Sequence, residues 1–186
     1  MFDIVMWVMI FLIVLAFVVY IIVIFNGLIQ LRNNIDRALA NIDVLIKQRN
    51  DEMPNLVAVV KGYAKHEKRM IQLIVRAREA YTGAKTPGEK AAVNDVLTGA
   101  LKSLFALAES YPKLRANENF IYLQERITGI ENEIADRREF YNDSVLLYNT
   151  RIRVFPDTII ARLMRCKPME FFRATEEEKR KIELQL

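Results

Sequence analysis

IVMWVMIFLIVLAFVVYIIVIF, residues 4 to 25, is an unbroken run of 22 apolar or aromatic side chains. As a helix it rises about 33 Å, enough to cross a hydrocarbon core about 30 Å thick. A charge inside it would cost about 3 kcal/mol on an insertion scale, and it holds none. A cleaved signal peptide requires a basic n-region, a shorter apolar stretch and a small-residue cleavage site. Here Met1, Phe2 and Asp3 stand before the run, and no A-x-A pattern closes it. Twenty-two residues without a polar face also argue against a buried core helix. The reading is a transmembrane anchor over residues 1–25.

All 27 Lys and Arg follow the anchor, and the whole chain carries a net charge of +4. That balance does not point to nucleic acid. Arg32, Arg37, Lys47 and Arg49 come soon after the anchor and no cation comes before it. The positive-inside rule therefore predicts a cell-membrane protein with Met1 outside and the rest in the cytoplasm. A single cysteine, Cys166, excludes an intramolecular disulfide and agrees with a reducing compartment. With His66 as the one histidine, a Cys/His zinc cluster cannot be assembled from one chain.

Outward from the anchor the period is helical. Leu28, Leu31, Ile35, Ala38, Ile42 and Leu45 alternate by three and four, and Gly27 is the single weak point before them. The anchor can thus continue into this segment. Leu56, Val60, Tyr63, Met70, Ile74, Ala77 and Tyr81 repeat the period. Pro54 lies between the two series and predicts a kink or break near Asp51 to Met53. Gly83 reads as the stop of the second helix. Thr86-Pro87-Gly88-Glu89 is a capping box that opens a third, ending before Tyr111-Pro112. A long fourth helix carries Phe120, Leu123, Ile127, Ile130, Ile134, Tyr141, Val145, Tyr148 and Ile152, and Phe155-Pro156 ends it; Asp157 to Arg165 can form a short one. Strand alternation and hairpin dipeptides are missing. The expected fold is all-α: one N-terminal transmembrane helix, then an antiparallel long-helix bundle over residues 26–172, then a charged tail over 173–186.

Candidate chemistry is sparse. No G-x-S-x-G, Walker or G-x-G-x-x-G pattern occurs, and the Glu-x-x-His pairing of di-metal bundles is absent. Neither a catalytic residue, a cofactor nor a metal is expected. Glu131, Glu133, Asp136 and Glu139, interleaved with Arg126, Arg137 and Arg138, read as a salt-laced solvated face. Lys61, Lys65, Lys68, Arg69 and Arg76 form a basic stripe on the second helix, suited to anionic lipid, to an acidic partner, or to those carboxylates. Tyr141-Asn142 recurs seven residues later as Tyr148-Asn149. That repeat gives either tyrosines hydrogen-bonded at the core edge or an asparagine ladder facing another subunit. Arg49, Glu67 and Arg137 fall at apolar positions of their series, as a buried ionic layer or as contacts between subunits.

Several strings resemble the LemA family: Asn41-Ile42-Asp43-Val44, Arg49 to Val57, Val60 to Glu67, Glu109 to Asn117, Phe120 to Gln124, the two Tyr-Asn pairs, and Phe155-Pro156. The likeness runs from about residue 25 to 172 in order and spacing. Phe25-Asn26, Leu45-Ile46 and Gln48-Arg49 depart from the family's usual pairs without touching a fold feature. The resemblance implies a membrane helix, a cytoplasmic helical bundle and a prokaryotic host, and one branch serves magnetosome formation. It brings no catalytic residues. The expected function is a non-enzymatic, self-associating membrane scaffold whose partners are the lipid bilayer, its own copies and a cytoplasmic protein. The alternative is a tethered accessory subunit of an enzyme or signalling complex. Candidate interaction residues are Arg49, Lys61, Lys65, Arg69, Tyr141, Asn142, Tyr148 and Asn149.

Overall fold

A computed structural model describes residues 1–64 and 68–175. Among these it has six helices and no strand: α1 (Phe2–Tyr63), α2 (Lys68–Gly83), α3 (Pro87–Ala108), α4 (Pro112–Arg115), α5 (Glu118–Arg151) and α6 (Asp157–Leu163). The chain divides into two compact units. One contains Met1–Arg37 and Asp143–Met169; the other contains Ala38–Asn142 and the segment that begins at Glu170. Helices α1 and α5 contribute to both.

The apolar run becomes the first part of α1, which continues unbroken through Gly27 and Pro54. Of the kink or break expected near Asp51 to Met53, the break does not occur. Pro54 lacks an N–H and crowds the preceding turn, but Met53, Leu56, Val57 and Val60 are all buried. Their combined burial, about 1.5–3 kcal/mol for each fully covered side chain, offsets a proline penalty of about 3 kcal/mol. The helix ends instead at Tyr63. Lys65, His66 and Glu67 lie outside the described residues, so the seam expectation at Glu67 falls there too.

In the bundle unit the helices meet through a core of Leu56, Val60, Ile74, Leu97, Leu104, Phe120 and Ile127. Phe105 meets Phe120 edge-on, with ring centroids 6.2 Å apart. Ion pairs and hydrogen bonds give the directions. Arg49 reaches Glu131 and Glu52 reaches Arg126, so α1 and α5 are antiparallel. Asp95 with Arg138 and Thr98 with Glu131 set α3 antiparallel to α5. The Thr86–Glu89 capping box forms as predicted, with Pro87 in the first turn of α3.

In the anchor-bearing unit, Leu28, Ile35, Val145, Tyr148, Ile152, Ile160 and Ala161 are buried. The guanidinium of Arg151 lies over Gly27, where an added Cβ would stand 2.9 Å from Nη1. This glycine is thus used for a close approach. The fourth helix of the sequence reading stops at Arg151, before Phe155-Pro156. Asp157 to Leu163 forms the short helix α6. Arg165 ends it with φ 53°, while the Cys166 N–H bonds Ala161 O at 2.9 Å in the manner of a helix C-cap.

From Met1 to Tyr20 every residue is exposed. Trp7, Phe11 and Ile13 each retain 65% of their surface. Among the described residues two helices are long and apolar enough to cross a membrane, but the most apolar stretch of α3 is 50% buried, against 6% for that of α1. Helix α3 is a core helix.

Candidate interaction site

Arg49 is wholly buried. The α1 seam carries it inward because it continues the series Ile35, Ala38, Ile42 and Ile46. Nη1 pairs with Glu131 Oε1 and makes a long 3.5 Å contact to Thr98 Oγ1. The Thr98 hydroxyl donates to Glu131 Oε2 at 2.7 Å. The ionic layer therefore lies inside one chain, joining α1, α3 and α5. Arg49 Nε and Nη2 and the buried Asn94 Oδ1 find no protein partner among the described residues.

A second layer centres on Asp43. The Tyr81 hydroxyl donates to Oδ1 at 2.8 Å, and Lys90 Nζ donates to Oδ1 and Oδ2 at 2.8 and 2.7 Å. Burial first, and then the bond to Asp43, hold the Tyr81 hydroxyl well above the usual tyrosine range. A phenol kept protonated on a saturated carboxylate ties helices together; it is neither a base nor a nucleophile near neutral pH.

Of the acidic residues of α5 expected on a solvated face, Glu133, Asp136 and Glu139 are exposed, and Glu131 alone departs from it. Glu131 turns inward to Arg49, Arg126 reaches Glu52 on α1 at 2.6 Å, and Arg138 reaches Asp95 on α3 at 2.7 Å. Interhelical pairs win because each neighbouring helix presents an opposite charge at that level. Arg137 is exposed and belongs to no seam. Among the described residues there is no group of three or more His, Cys, Asp or Glu placed to hold a metal.

The Tyr-Asn repeat grips the chain's own C-terminal segment. In the bundle unit, the Tyr141 hydroxyl donates to Glu170 O at 2.8 Å and Asn142 Oδ1 accepts from Phe172 N–H at 2.8 Å. In the anchor-bearing unit, Asn149 makes a two-way bond with Met169, at 2.9 Å to its carbonyl and 2.8 Å from its N–H. Burial and the neighbouring Cys166 push the Tyr148 hydroxyl up to about 12. The asparagine side chains thus do for residues 169–172 what a sheet edge would do. Spacing pointed to these four residues, but no sequence signal pointed to residues 169–172 as what they hold.

The basic stripe is split between two helices, because α1 extends to Tyr63. Lys61 belongs to α1; Lys68, Arg69 and Arg76 belong to α2, and Lys65 lies outside the described residues. Lys61, Lys68 and Arg76 flank a groove of about 700 Å³ floored by Ile71 and Val75. Arg69 is exposed and is not among its lining residues. Glu131, Thr98, Asp43, Tyr81, Lys90 and Asp95 were missed as functional positions; a cation in the α1 seam is the signal that a carboxylate must face it.

The sequence profile of the LemA family matches residues 38–185. The chain is 24% identical over 185 residues to magnetosome protein MamQ 2 of Paramagnetospirillum magneticum, covering 86% of this chain and 68% of that one. It is 23% identical over 183 residues to magnetosome protein MamQ of Magnetospirillum gryphiswaldense, covering 84% and 67%. It is 25% identical over 158 residues to protein LemA of Metamycoplasma hominis, covering 83% and 71%. None of these names specifies a reaction.

Proposed function

Since this chain belongs to the LemA family, we propose that it is a membrane-anchored, non-enzymatic scaffold, self-associating, with its bundle in the cytoplasm and Met1 outside. The observation that carries this reading is the continuity of α1. One helix of 62 residues begins as an exposed apolar rod and ends inside the ionic layers of the bundle. Such a rod needs hydrocarbon around it. The interhelical charges support the non-enzymatic part of this reading and are silent on self-association. Arg49, Asp43, Glu131 and Lys90 are spent on holding helices together. The magnetosome relatives suggest that the membrane is also what the scaffold organises.

The mass of the full chain in native membrane-derived nanodiscs tests self-association. A discrete multiple of 21.7 kDa is expected; a clean monomer removes the self-assembling version. Orientation is read separately. Green fluorescent protein fused after Leu186 is expected to fluoresce, while alkaline phosphatase fused at the same place stays inactive. The opposite pattern inverts the topology.

The groove between Lys61 and Arg76 favours a second reading, a tethered accessory subunit. Cations around an apolar floor suit an acidic amphipathic helix of another protein. A co-purifying acidic partner that is lost in Lys61→Glu membranes, together with a monomeric chain, would support this reading over the first.

A further inference from the structure

The short helix α6 carries both buried and exposed apolar side chains. Ile160 and Ala161 are buried in the anchor-bearing unit. Ile159 and Leu163, one helical turn apart, remain 52% and 77% exposed, and Phe155, in the turn just before the helix, is 80% exposed. Three large apolar side chains left exposed so close together in the chain mark a contact surface rather than scattered surface residues.

The same unit locates these residues relative to the anchor. Helix α5 runs down α1: Tyr148 feels the charge of Arg32, and three residues later Arg151 rests on Gly27. Gly27 is two residues beyond the last apolar residue of the run, Phe25. From Gly27 the connection passes through one side chain, since Arg151 Nε bonds Asp157 Oδ2 at 2.6 Å at the start of α6. Helix α6 is therefore tied to the level at which the anchor leaves the hydrocarbon. Arg153, Arg162 and Lys167, all exposed, add positive charge to the same stretch of chain. Exposed apolar side chains interspersed with cations, held where a spanning helix emerges, are the chemistry of an interfacial membrane element.

We infer that α6 and the preceding Phe155 form a second membrane contact, seating Phe155, Ile159 and Leu163 at the headgroup–acyl boundary of the bilayer that the anchor crosses. This rests on the anchor reading above and adds a site to it. A single spanning helix is free to rotate and tilt. A second contact beside its exit fixes both for the anchor-bearing unit.

Trp7 is the single tryptophan of the chain and lies in the anchor, so it reports insertion. The full chain is reconstituted in phosphatidylcholine nanodiscs containing some phosphatidylglycerol, with nitroxide lipids labelled high or low on the acyl chain. In the background Trp7→Phe, the probe in Phe155→Trp is expected to be quenched about twofold more by the shallow nitroxide than by the deep one, as seating about 5–10 Å into the boundary requires. Leu163→Trp is expected to behave alike. Both sites are exposed, so unchanged far-ultraviolet circular dichroism is expected. If Trp7 is quenched in the unsubstituted chain and neither new probe is, α6 does not touch the bilayer and the inference falls while the anchor stands. If Trp7 itself escapes quenching, the anchor reading fails and this inference fails with it.

Discussion

Glu131→Ala is expected to cost about 3–5 kcal/mol of bundle stability, several times the cost of Arg49→Met. The two partners are not equivalent. Arg49 is fully buried, whereas the Glu131 side chain keeps 18% of its surface and a second bond from Thr98. Removing Glu131 strands a guanidinium that has no route to water and whose Nε and Nη2 already lack protein partners. Removing Arg49 leaves a carboxylate that hydrates at its open edge, and methionine fills the vacated channel with apolar volume. Its cost should stay near about 1 kcal/mol, the scale of a volume-conserving core swap. The double variant Arg49→Met with Glu131→Ala should recover most of the loss, giving a coupling energy of about 2 kcal/mol or more. Urea unfolding of the full chain in nanodiscs, followed by circular dichroism, measures all three. An Arg49→Met cost larger than that of Glu131→Ala would overturn this account of the layer.

That asymmetry also shows what was legible in the sequence. The seam spacing singled out Arg49 as buried or interfacial, because one helical series admits few cations. It could not supply the partner. Glu131 sits beside Ile130 in a charge-dense stretch, and local patterning assigned it to the solvated face. Which of several carboxylates turns inward is decided by the rotation of α5 against α1, a property of three helices together. Pro54 misled for a related reason. A proline inside a helix is a local cost, while Met53, Leu56 and Val60 pack on elements distant in sequence. By contrast the exposed apolar helix at the N-terminus, the Thr86–Glu89 capping box and the all-helical class of the described residues depend on contiguous residues, and these matched. The Tyr-Asn repeat lies between the two cases: its period was visible, but its occupant, an extended segment with neither helical nor strand pattern, was not.

Phe172→Ala should release that segment from the bundle without unfolding the bundle itself. Phe172 is fully buried, meets Tyr141 edge-on at 6.2 Å and lies 5.2 Å from the Arg138 guanidinium. Truncating such a ring costs about 3–5 kcal/mol where the surrounding structure cannot collapse. Here the affected stretch, residues 170–175, lies outside any helix, and Phe172, Asn142 and the Tyr141 hydroxyl are among the groups that hold it. Its undocking energy therefore caps the loss, because a segment opens locally once its own contacts fail. Arg138 keeps Asp95 as a partner, so α3 and α5 remain tied. Hydrogen exchange reads the difference: the Phe172 amide should lose its protection while core amides such as Leu101 and Ile127 keep theirs. Asn142→Leu removes the acceptor for that amide and should shift exchange in the same place, by about 1–3 kcal/mol for an orphaned buried donor. Asn142→Asp, which retains an oxygen acceptor, should restore much of the protection. If Phe172→Ala instead accelerates exchange evenly through α3 and α5, the segment is part of the cooperative core. The Tyr-Asn repeat would then be holding the bundle together rather than fastening a strap to it.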